Sequence, residues 1–154
     1  LTYDTANWFA DGQAGTMQVD ADLVYLDGNA HTFAMFKDNS AAERFLGYID
    51  SGSVSTYITN LGVHASSVHP IGVSRGDAFR HNASISSSGN ADAVNGDLDT
   101  FAAKVPNGIN NLRIGVNNNN IVALNGCLLN VIYYPQRLVD NTLEHISSRE
   151  NSND

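Results

Sequence analysis

The chain has 154 residues, of which 42% are hydrophobic and 16% are charged. That balance is typical of one globular domain with a single core, and it excludes an intrinsically disordered chain. The formal net charge is −8, with only eight Lys and Arg residues in total. The sequence therefore lacks the basic surface with which proteins bind a nucleic-acid backbone or an anionic membrane.

Alternating strands separated by turns are predicted for the first part of the chain. Residues 16–25 alternate apolar and polar side chains, which is the period of a strand with one buried face. Three more strands are predicted at residues 31–37, 43–50 and 54–60, between turns rich in Asp, Asn, Ser and Gly. Short strands at a spacing of about ten residues are typical of an all-β domain.

Further strands are predicted in the second half, at residues 68–75, 92–99 and 112–116. The run at residues 124–134 is almost wholly apolar. It is therefore predicted to be a strand with both faces covered. Cys127 lies inside this run, and as a lone cysteine it is expected to be a small buried core residue.

A short helix is predicted near the end of the chain. Asp140 is a favourable N-cap, and Val139, Leu143 and Ile146 fall on one helical face. We expect this helix to lie on a sheet edge and to be followed by a polar tail at residues 149–154.

The alternation also predicts which side chains meet in the core. On the strand at residues 31–37, Phe33 and Met35 are expected to point away from Ala34 and Phe36. The predicted core consists of Val19, Leu23, Phe33, Met35, Ile71, Val73, Leu112, Ile114, Leu128, Ile132 and Leu143.

The last third of the chain resembles a known family. It reads L-R-I-G at residues 112–115, L-N-G at residues 124–126 and Y-Y-P-Q-R-L at residues 133–138, before a helix with the pattern L-x-x-I. These strings are similar to the end of concanavalin A-like (laminin-G-like) jelly-roll domains, above all those of bacteriophage tail fibres, tailspikes and other virion proteins. The resemblance implies an all-β fold, a two-sheet antiparallel jelly-roll sandwich with one short C-terminal helix, over residues 1–148.

The resemblance implies binding of sugars or surfaces in a virion. We expect a non-catalytic recognition domain of a phage tail fibre or tailspike that binds host surface carbohydrate and is displayed as a homotrimer by its parent protein. The alternative is a structural virion protein, such as a capsid decoration, head fibre or assembly domain, that binds other virion proteins. Sugar sites combine an aromatic ring with amide and carboxylate groups. The candidate residues are Trp8, Tyr57, Arg75, Asp77, His81, Asn118 and Asn119.

An enzymatic function is not expected. Retaining β-glucanases with the concanavalin A-like fold carry a Glu-x-Asp-x-Glu run on one strand, and none of the three Glu residues of this chain lies in such a run. Asp20 and Asp22 would share a strand face at roughly 6.6 Å. Thr16 and Gln18 continue the same polar face, however, so a solvated outer face is favoured over a catalytic pair.

A bound cofactor is not expected, although calcium is possible. No spacing of His or Cys predicts a zinc site. Asp, Asn and Gly cluster at residues 27–29, 38–39 and 95–97, and they could supply the oxygen ligands that calcium prefers. Turns require the same residues for backbone reasons, so the clusters do not decide between the two interpretations.

Overall fold

Two antiparallel β-sheets pack face to face around the core. The computed structural model describes residues 2–4, 13–23, 29–38, 40, 42–70, 72, 74, 76–116, 124 and 126–148. The elements of this part of the chain are β1 (Thr2–Asp4), β2 (Gly15–Leu23), β3 (His31–Lys37), β4 (Arg44–Asp50), β5 (Ser53–Asn60), β6 (Val63–His69), β7 (Ala78–Ile85), β8 (Asn90–Val94), β9 (Asp97–Phe101), β10 (Asn111–Ile114), β11 (Gly126–Tyr134) and α1 (Asp140–Ser147). The predicted all-β sandwich with one short C-terminal helix is confirmed.

The two sheets differ in how their strands are connected. Sheet A has six strands in the order β1-β10-β3-β4-β5-β6, and sheet B has five in the order β11-β2-β7-β8-β9. Strands β3 to β6 are consecutive in the chain and form a meander. The core between the sheets is rich in aromatic rings from both sides, including Phe36 and Phe45 of sheet A and Phe79 of sheet B.

Strand β2 follows its predicted alternation. Met17, Val19, Ala21 and Leu23 are buried in the core, as expected for a strand with one face on the partner sheet.

The predicted alternation of β3 is wrong beyond its third residue. The pairing of β3 with β4 shifts by one residue between Thr32 and Ala34, which is a β-bulge. A bulge places two residues of one strand opposite one of the other, so every later side chain changes face. Ala34 and Phe36 therefore join Phe33 in the core, while Met35 is buried on the outer face of sheet A.

Strand β11 is an edge strand and not a strand covered on both faces. It pairs only with β2 among the described strands. Cys127, opposite Asp22, is exposed, and the side chain of Leu129 is 62% exposed. The prediction of a buried cysteine is therefore wrong, because an apolar run by itself does not show whether a second strand covers it.

A second bulge changes the phase of β11. The pairing with β2 shifts between Leu128 and Asn130. Leu128 packs against the core before the bulge, and Val131 and Tyr133 do so after it. Ile132 falls opposite Gln18 on the other face, so its predicted place in the core is wrong.

Two other strand boundaries differ from the prediction. The strand predicted at residues 68–75 is replaced by β6, which ends at His69; Ile71 and Val73 lie outside the described residues. The single strand predicted at residues 92–99 is two strands, β8 and β9. Asn95 and Gly96 join them with φ values of 51° and 88°, which is the backbone of a tight two-residue hairpin.

Helix α1 packs on the outer face of sheet B, across β7, β8 and β9, and not on a sheet edge. Leu143 is fully buried against Ala91 and Ala93, forming a second apolar cluster separate from the main core. The N-cap is Val139, which is 62% exposed, and Asp140 is the first helical residue, so the predicted capping role of Asp140 is wrong. No helix of the described residues is long and apolar enough to cross a bilayer.

Candidate functional site

The structure disperses the candidate residues that it describes. Tyr57 lies on the outer face of sheet A, Asp77 lies in the turn before β7, and His81 lies inside β7. The other candidates, Trp8, Arg75, Asn118 and Asn119, lie outside the described residues.

Asp77 has a structural function in its turn. Its Oδ2 accepts a hydrogen bond from the backbone N–H of Ser74 at 2.7 Å, and its own N–H donates to the Ser74 carbonyl at 3.0 Å. The backbone carbonyl of Asp77 accepts from Leu23 N–H at 2.9 Å, which ties the turn to β2. The exposed carboxylate thus closes a turn next to sheet B, on the opposite side of the sandwich from Tyr57.

His81 is not a surface residue and cannot contact a ligand from a loop. Its side chain is fully buried between the sheets, with its ring 5.2 Å from that of Phe33. The hydroxyl of Thr56 donates to Asp92 Oδ2 at 2.6 Å, so it accepts from His81 Nε2 at 2.8 Å. His81 therefore carries a proton on Nε2, and its buried Nδ1 has no hydrogen-bond partner among the described residues.

Asp92 is the centre of a buried polar cluster that joins the sheets. Its Oδ1 accepts hydrogen bonds from the Ser67 hydroxyl at 2.6 Å and from His69 Nε2 at 2.9 Å. The other ring nitrogen of His69 lies 3.2 Å from Asp97 Oδ2, and the Asp97 side chain is 67% exposed. Because both nitrogens of His69 face carboxylates, only the doubly protonated imidazolium satisfies both contacts. We call Thr56, Ser67, His69, His81 and Asp92 the buried clamp.

The clamp shifts two ionisation equilibria. Burial alone would raise the pKa of Asp92, but the hydrogen bond and charge of His69 and the nearby His81 ring, whose Nε2 is 3.6 Å from Oδ2, outweigh it and hold that pKa well below its usual range. Burial alone would lower the pKa of His69, but hydrogen bonds and charge attraction from Asp92 and Asp97 raise it above its ordinary value. The clamp is thus an ion pair that fixes sheet B against sheet A, and it stabilises the scaffold of the outer face.

On the outer face of sheet A, the side chains of β6 are exposed to solvent and those of β3 are buried. On β3 the outward side chains Thr32, Met35 and Lys37 are all buried, and Lys37 is only 4% exposed. On β6 the outward residues His64 and Ser66 are exposed. Solvent therefore reaches this face along β6 and at the partly exposed Arg44, Tyr48 and Tyr57, whereas Leu46, Ser55 and Thr59 beside them are buried.

Three side chains stack on the open part of this face. The guanidinium carbon of Arg44 lies 5.0 Å from the ring centroid of Tyr57, and the ring of His64 lies 5.1 Å from it. The Tyr57 hydroxyl is 2.5 Å from His64 Nδ1. Arg44 Nε donates to the hydroxyl of Thr59 at 3.3 Å. These contacts immobilise an arginine, a tyrosine and a histidine in one layer without further support from the loops.

Tyr48 lies farther along β4, on the same face as this layer. It is half-buried, and its ring and hydroxyl have no partner in the part of the chain that the structure describes. Leu46 and Ser55, which are buried, lie beside it on β4 and β5. Arg44 and Tyr48 are four residues apart on one strand, which is roughly 13 Å. We call Arg44, Tyr48, Tyr57, Thr59 and His64 the Arg44 face.

Sequence reasoning identified only Tyr57 from this face. Arg44 and Tyr48 could have been found, because they share parity on a predicted strand whose other parity carries the apolar residues Phe45 and Ile49. His64 carried no such signal, because β6 was not predicted.

Asp20 and Asn95, which the sequence suggested for catalysis and for calcium binding, form structural contacts. Asp20 Oδ1 lies 2.6 Å from Arg80 Nε, and Arg80 also donates to the Ile146 carbonyl at 3.1 Å, so this carboxylate ties α1 to the sheet. Asn95 Oδ1 accepts from Arg80 N–H at 2.9 Å. No group of three His, Cys, Asp or Glu among the described residues could hold a metal ion.

The fold has known counterparts among solved structures. The chain superposes on the CBM40 domain of Ruminococcus gnavus IT-sialidase bound to alpha2,6 sialyllactose with a TM-score of 0.74 and 13% identity, covering 96% of this chain and 92% of that one. Domains LG4-5 of the mouse laminin alpha1 chain match with a TM-score of 0.70 and 11% identity, over 92% of this chain and 40% of that one. The chain has a lectin-like jelly-roll fold.

The same sandwich occurs in a domain of a bacterial toxin. The binding domain of botulinum neurotoxin serotype D gives a TM-score of 0.72 at 8% identity, over 95% of this chain and 39% of that one. No family model and no curated protein matches the sequence. At identities this low the likeness concerns the fold, and function has to be argued from the site.

Proposed function

We propose that this domain is a non-catalytic recognition module that binds a cell-surface glycan on the Arg44 face. The observation that carries the proposal is the unpartnered ring of Tyr48 on an open sheet face, beside the stack of Arg44, Tyr57 and His64. Aromatic rings pack against the apolar face of a sugar, while nearby hydroxyl and cationic groups bind its oxygens. The likeness to a carbohydrate-binding module bound to sialyllactose supports the same class of ligand.

Binding without hydrolysis is the second part of the proposal. The paired carboxylates that a retaining or inverting glycosidase requires are missing from the Arg44 face, where the outward strand residues of β4, β5 and β6 include one carboxylate, Asp50. Asp20, the better candidate in the sequence, forms an ion pair with Arg80 on the other sheet. The isolated domain should release no reducing sugar from any glycan that it binds.

We further propose that the parent protein is virion-associated, a phage tail fibre or tailspike that displays the domain in three copies. Support comes from the Y-Y-P-Q-R-L string at residues 133–138, which resembles phage jelly-roll domains. A small site on a sheet face binds one glycan weakly, and tethering three such sites raises the effective concentration. An artificially trimerised domain should therefore bind host cells about 10²-fold more tightly than the monomer.

The test is a glycan array that includes sialyllactose and host lipopolysaccharide, probed with the domain and two variants. Tyr48→Ala should abolish binding, because it removes the open ring. Tyr134→Ala is the matched control, since it removes a half-buried tyrosine from the opposite sheet. Both variants are checked for cooperative unfolding first. If no glycan binds but the domain binds capsid or tail proteins, the structural role replaces this proposal.

A further inference from the structure

Arg44 forms no ion pair with a described residue, in contrast to two other arginines of the chain. Arg80 is paired with Asp20 and Arg137 with Asp140. Arg44 has no carboxylate within ion-pair distance, counting every described residue of the chain. Its Nε is used by Thr59 and its flat face by Tyr57, and these contacts leave the two terminal nitrogens for another partner.

We propose that the Arg44 face recognises a carboxylate carried by its glycan, and that Arg44 binds this carboxylate through its two terminal nitrogens. A guanidinium forms two parallel hydrogen bonds to a carboxylate, a geometry that an ammonium group cannot reproduce. Thr59 and Tyr57 already hold the guanidinium in place, so little side-chain entropy is lost when the ligand binds. This inference rests on the proposed function, because it specifies the ligand of the same site.

The local charge favours an anionic ligand although the chain as a whole is acidic. The outward positive groups near this end of the face are Lys37 and Arg44, and Arg113 follows on β10. Two carboxylates lie near them: Asp38 follows Lys37 at the end of β3, and Glu43, which is buried, accepts hydrogen bonds from the backbone N–H groups of Leu61 and Asn107. Burial and the charge of Arg113 lower the pKa of the Lys37 amine, and the charge of Asp38 acts in the opposite direction. The outward carboxylate of β4, Asp50, is at the other end of the strand.

The same charges restrict the kind of anion. The formal net charge of −8 repels a polyanion at distances up to a Debye length, which is about 8 Å at physiological salt. A glycan with a single acidic sugar approaches the positive end of the face without bringing further negative charge to the rest of the surface. Arg44 and Tyr48, roughly 13 Å apart, can accommodate an acidic sugar and one neighbouring neutral ring.

The experiment uses pairs of glycans that differ only in the carboxylate. Uronic-acid-terminated and sialic-acid-terminated oligosaccharides are compared with their carboxyl-reduced or methyl-ester forms by calorimetry or array binding. We expect the wild-type domain to prefer the acids by about 10-fold to 100-fold, as one charge-assisted bidentate contact supplies. Raising the salt concentration should weaken binding of the acids more than that of their neutral counterparts.

Three variants distinguish the two parallel hydrogen bonds of the guanidinium from the effect of its positive charge alone. Arg44→Gln should reduce acid binding to the level of the neutral counterpart. Arg44→Lys should retain less than half of the preference that Arg44→Gln loses, since the ammonium group keeps the charge but cannot form the two parallel hydrogen bonds. Arg137→Gln, the matched control, removes one positive charge beside α1 on the side of sheet B and should leave the preference unchanged.

The possible results are distinguishable from failure of the proposed function. Equal binding of acids and neutral forms, with both weakened by Tyr48→Ala, would overturn the carboxylate inference and leave the glycan-binding face in place. Binding of no glycan in either form would overturn both proposals. An acid preference that survives Arg44→Gln would show that another group reads the carboxylate, and it would also overturn the inference.

Discussion

Gly47 occupies the middle of β4 because no larger residue fits there. A Cβ atom at this position would overlap the ring of Phe33 and lie 3.2 Å from Cε1 of His81. Gly47→Ala should therefore lower the free energy of unfolding by about 1–3 kcal/mol, the usual cost of overpacking a filled core. Urea unfolding followed by circular dichroism measures this difference.

A double variant identifies the cause of that loss. Phe33→Leu makes space above Gly47, so adding Gly47→Ala in the Phe33→Leu background should cost clearly less than it does in the wild type. Equal costs in the two backgrounds would show that strand geometry, and not the aromatic ring, requires the glycine.

Single residues were predicted from the sequence only where their partners are close in the chain. The alternation in β2 was sufficient to place Val19 and Leu23 in the core. The burial of His81 could not be predicted, because its hydrogen bond is to Thr56, 25 residues earlier, on the opposite sheet. A histidine in a polar stretch looks like a surface residue until the buried partner is known.

At the scale of elements, the bulge in β11 predicts a contrast between two adjacent leucines. Leu128 packs against the core, whereas Leu129 is 62% exposed. Leu128→Ala should cost about 2 kcal/mol or more in the free energy of unfolding, and Leu129→Ala should change it by no more than about 0.5 kcal/mol. Chemical denaturation of the two variants under identical conditions provides the comparison, in which each leucine is the control for the other.

Similar losses at both positions would place β11 in a different register. The sequence predicted this strand's existence and most of its extent from its apolar run. It did not predict the bulge, because the shift of Leu128 relative to Asn130 depends on the pairing with β2, over 100 residues earlier. Strands β8 and β9 were wrongly predicted as one, although Asn95-Gly96 is a typical two-residue hairpin turn and the sequence alternates on both sides of it.

For the whole molecule, the buried clamp predicts a stability maximum in a defined pH range. The pKa of Asp92 is lower in the folded state, so its contribution is present above the ordinary carboxyl pKa of about 3.9 and is lost as the pH falls. The pKa of His69 is raised, so its contribution is complete below about 6.5 and is lost as the pH rises through the higher folded value. Urea unfolding between about pH 3 and pH 9 should show greatest stability between those two limits.

Two variants test whether the clamp causes that profile. His69→Gln removes the group with the raised pKa, so the loss of stability on the alkaline side should become shallower. Asp97→Asn leaves the buried contact to Asp92 and removes the exposed one, so it should shift the alkaline limb to lower pH. An alkaline limb that is the same in the wild type and in His69→Gln would show that other groups produce it.

The fold class was predictable as a whole, and the Arg44 face was not. Composition, turn spacing and the string at residues 133–138 were sufficient for a two-sheet sandwich. The Arg44 face is assembled from side chains on three strands, including one that the sequence did not reveal. Its position depends on strand order, which no local pattern in β4 or β6 encodes.

The meander of sheet A also has a consequence for synthesis on the ribosome. Strands β3 to β6 need only short hairpins to pair, so their contacts can form as soon as they emerge. Strand β2 emerges earlier, but its hydrogen-bonding partners β7 and β11 are synthesised later. Both edges of β2 therefore stay unpaired for much of translation. The Arg44 face is then formed before the sandwich closes, and the nascent chain's exposure to aggregation is concentrated at β2.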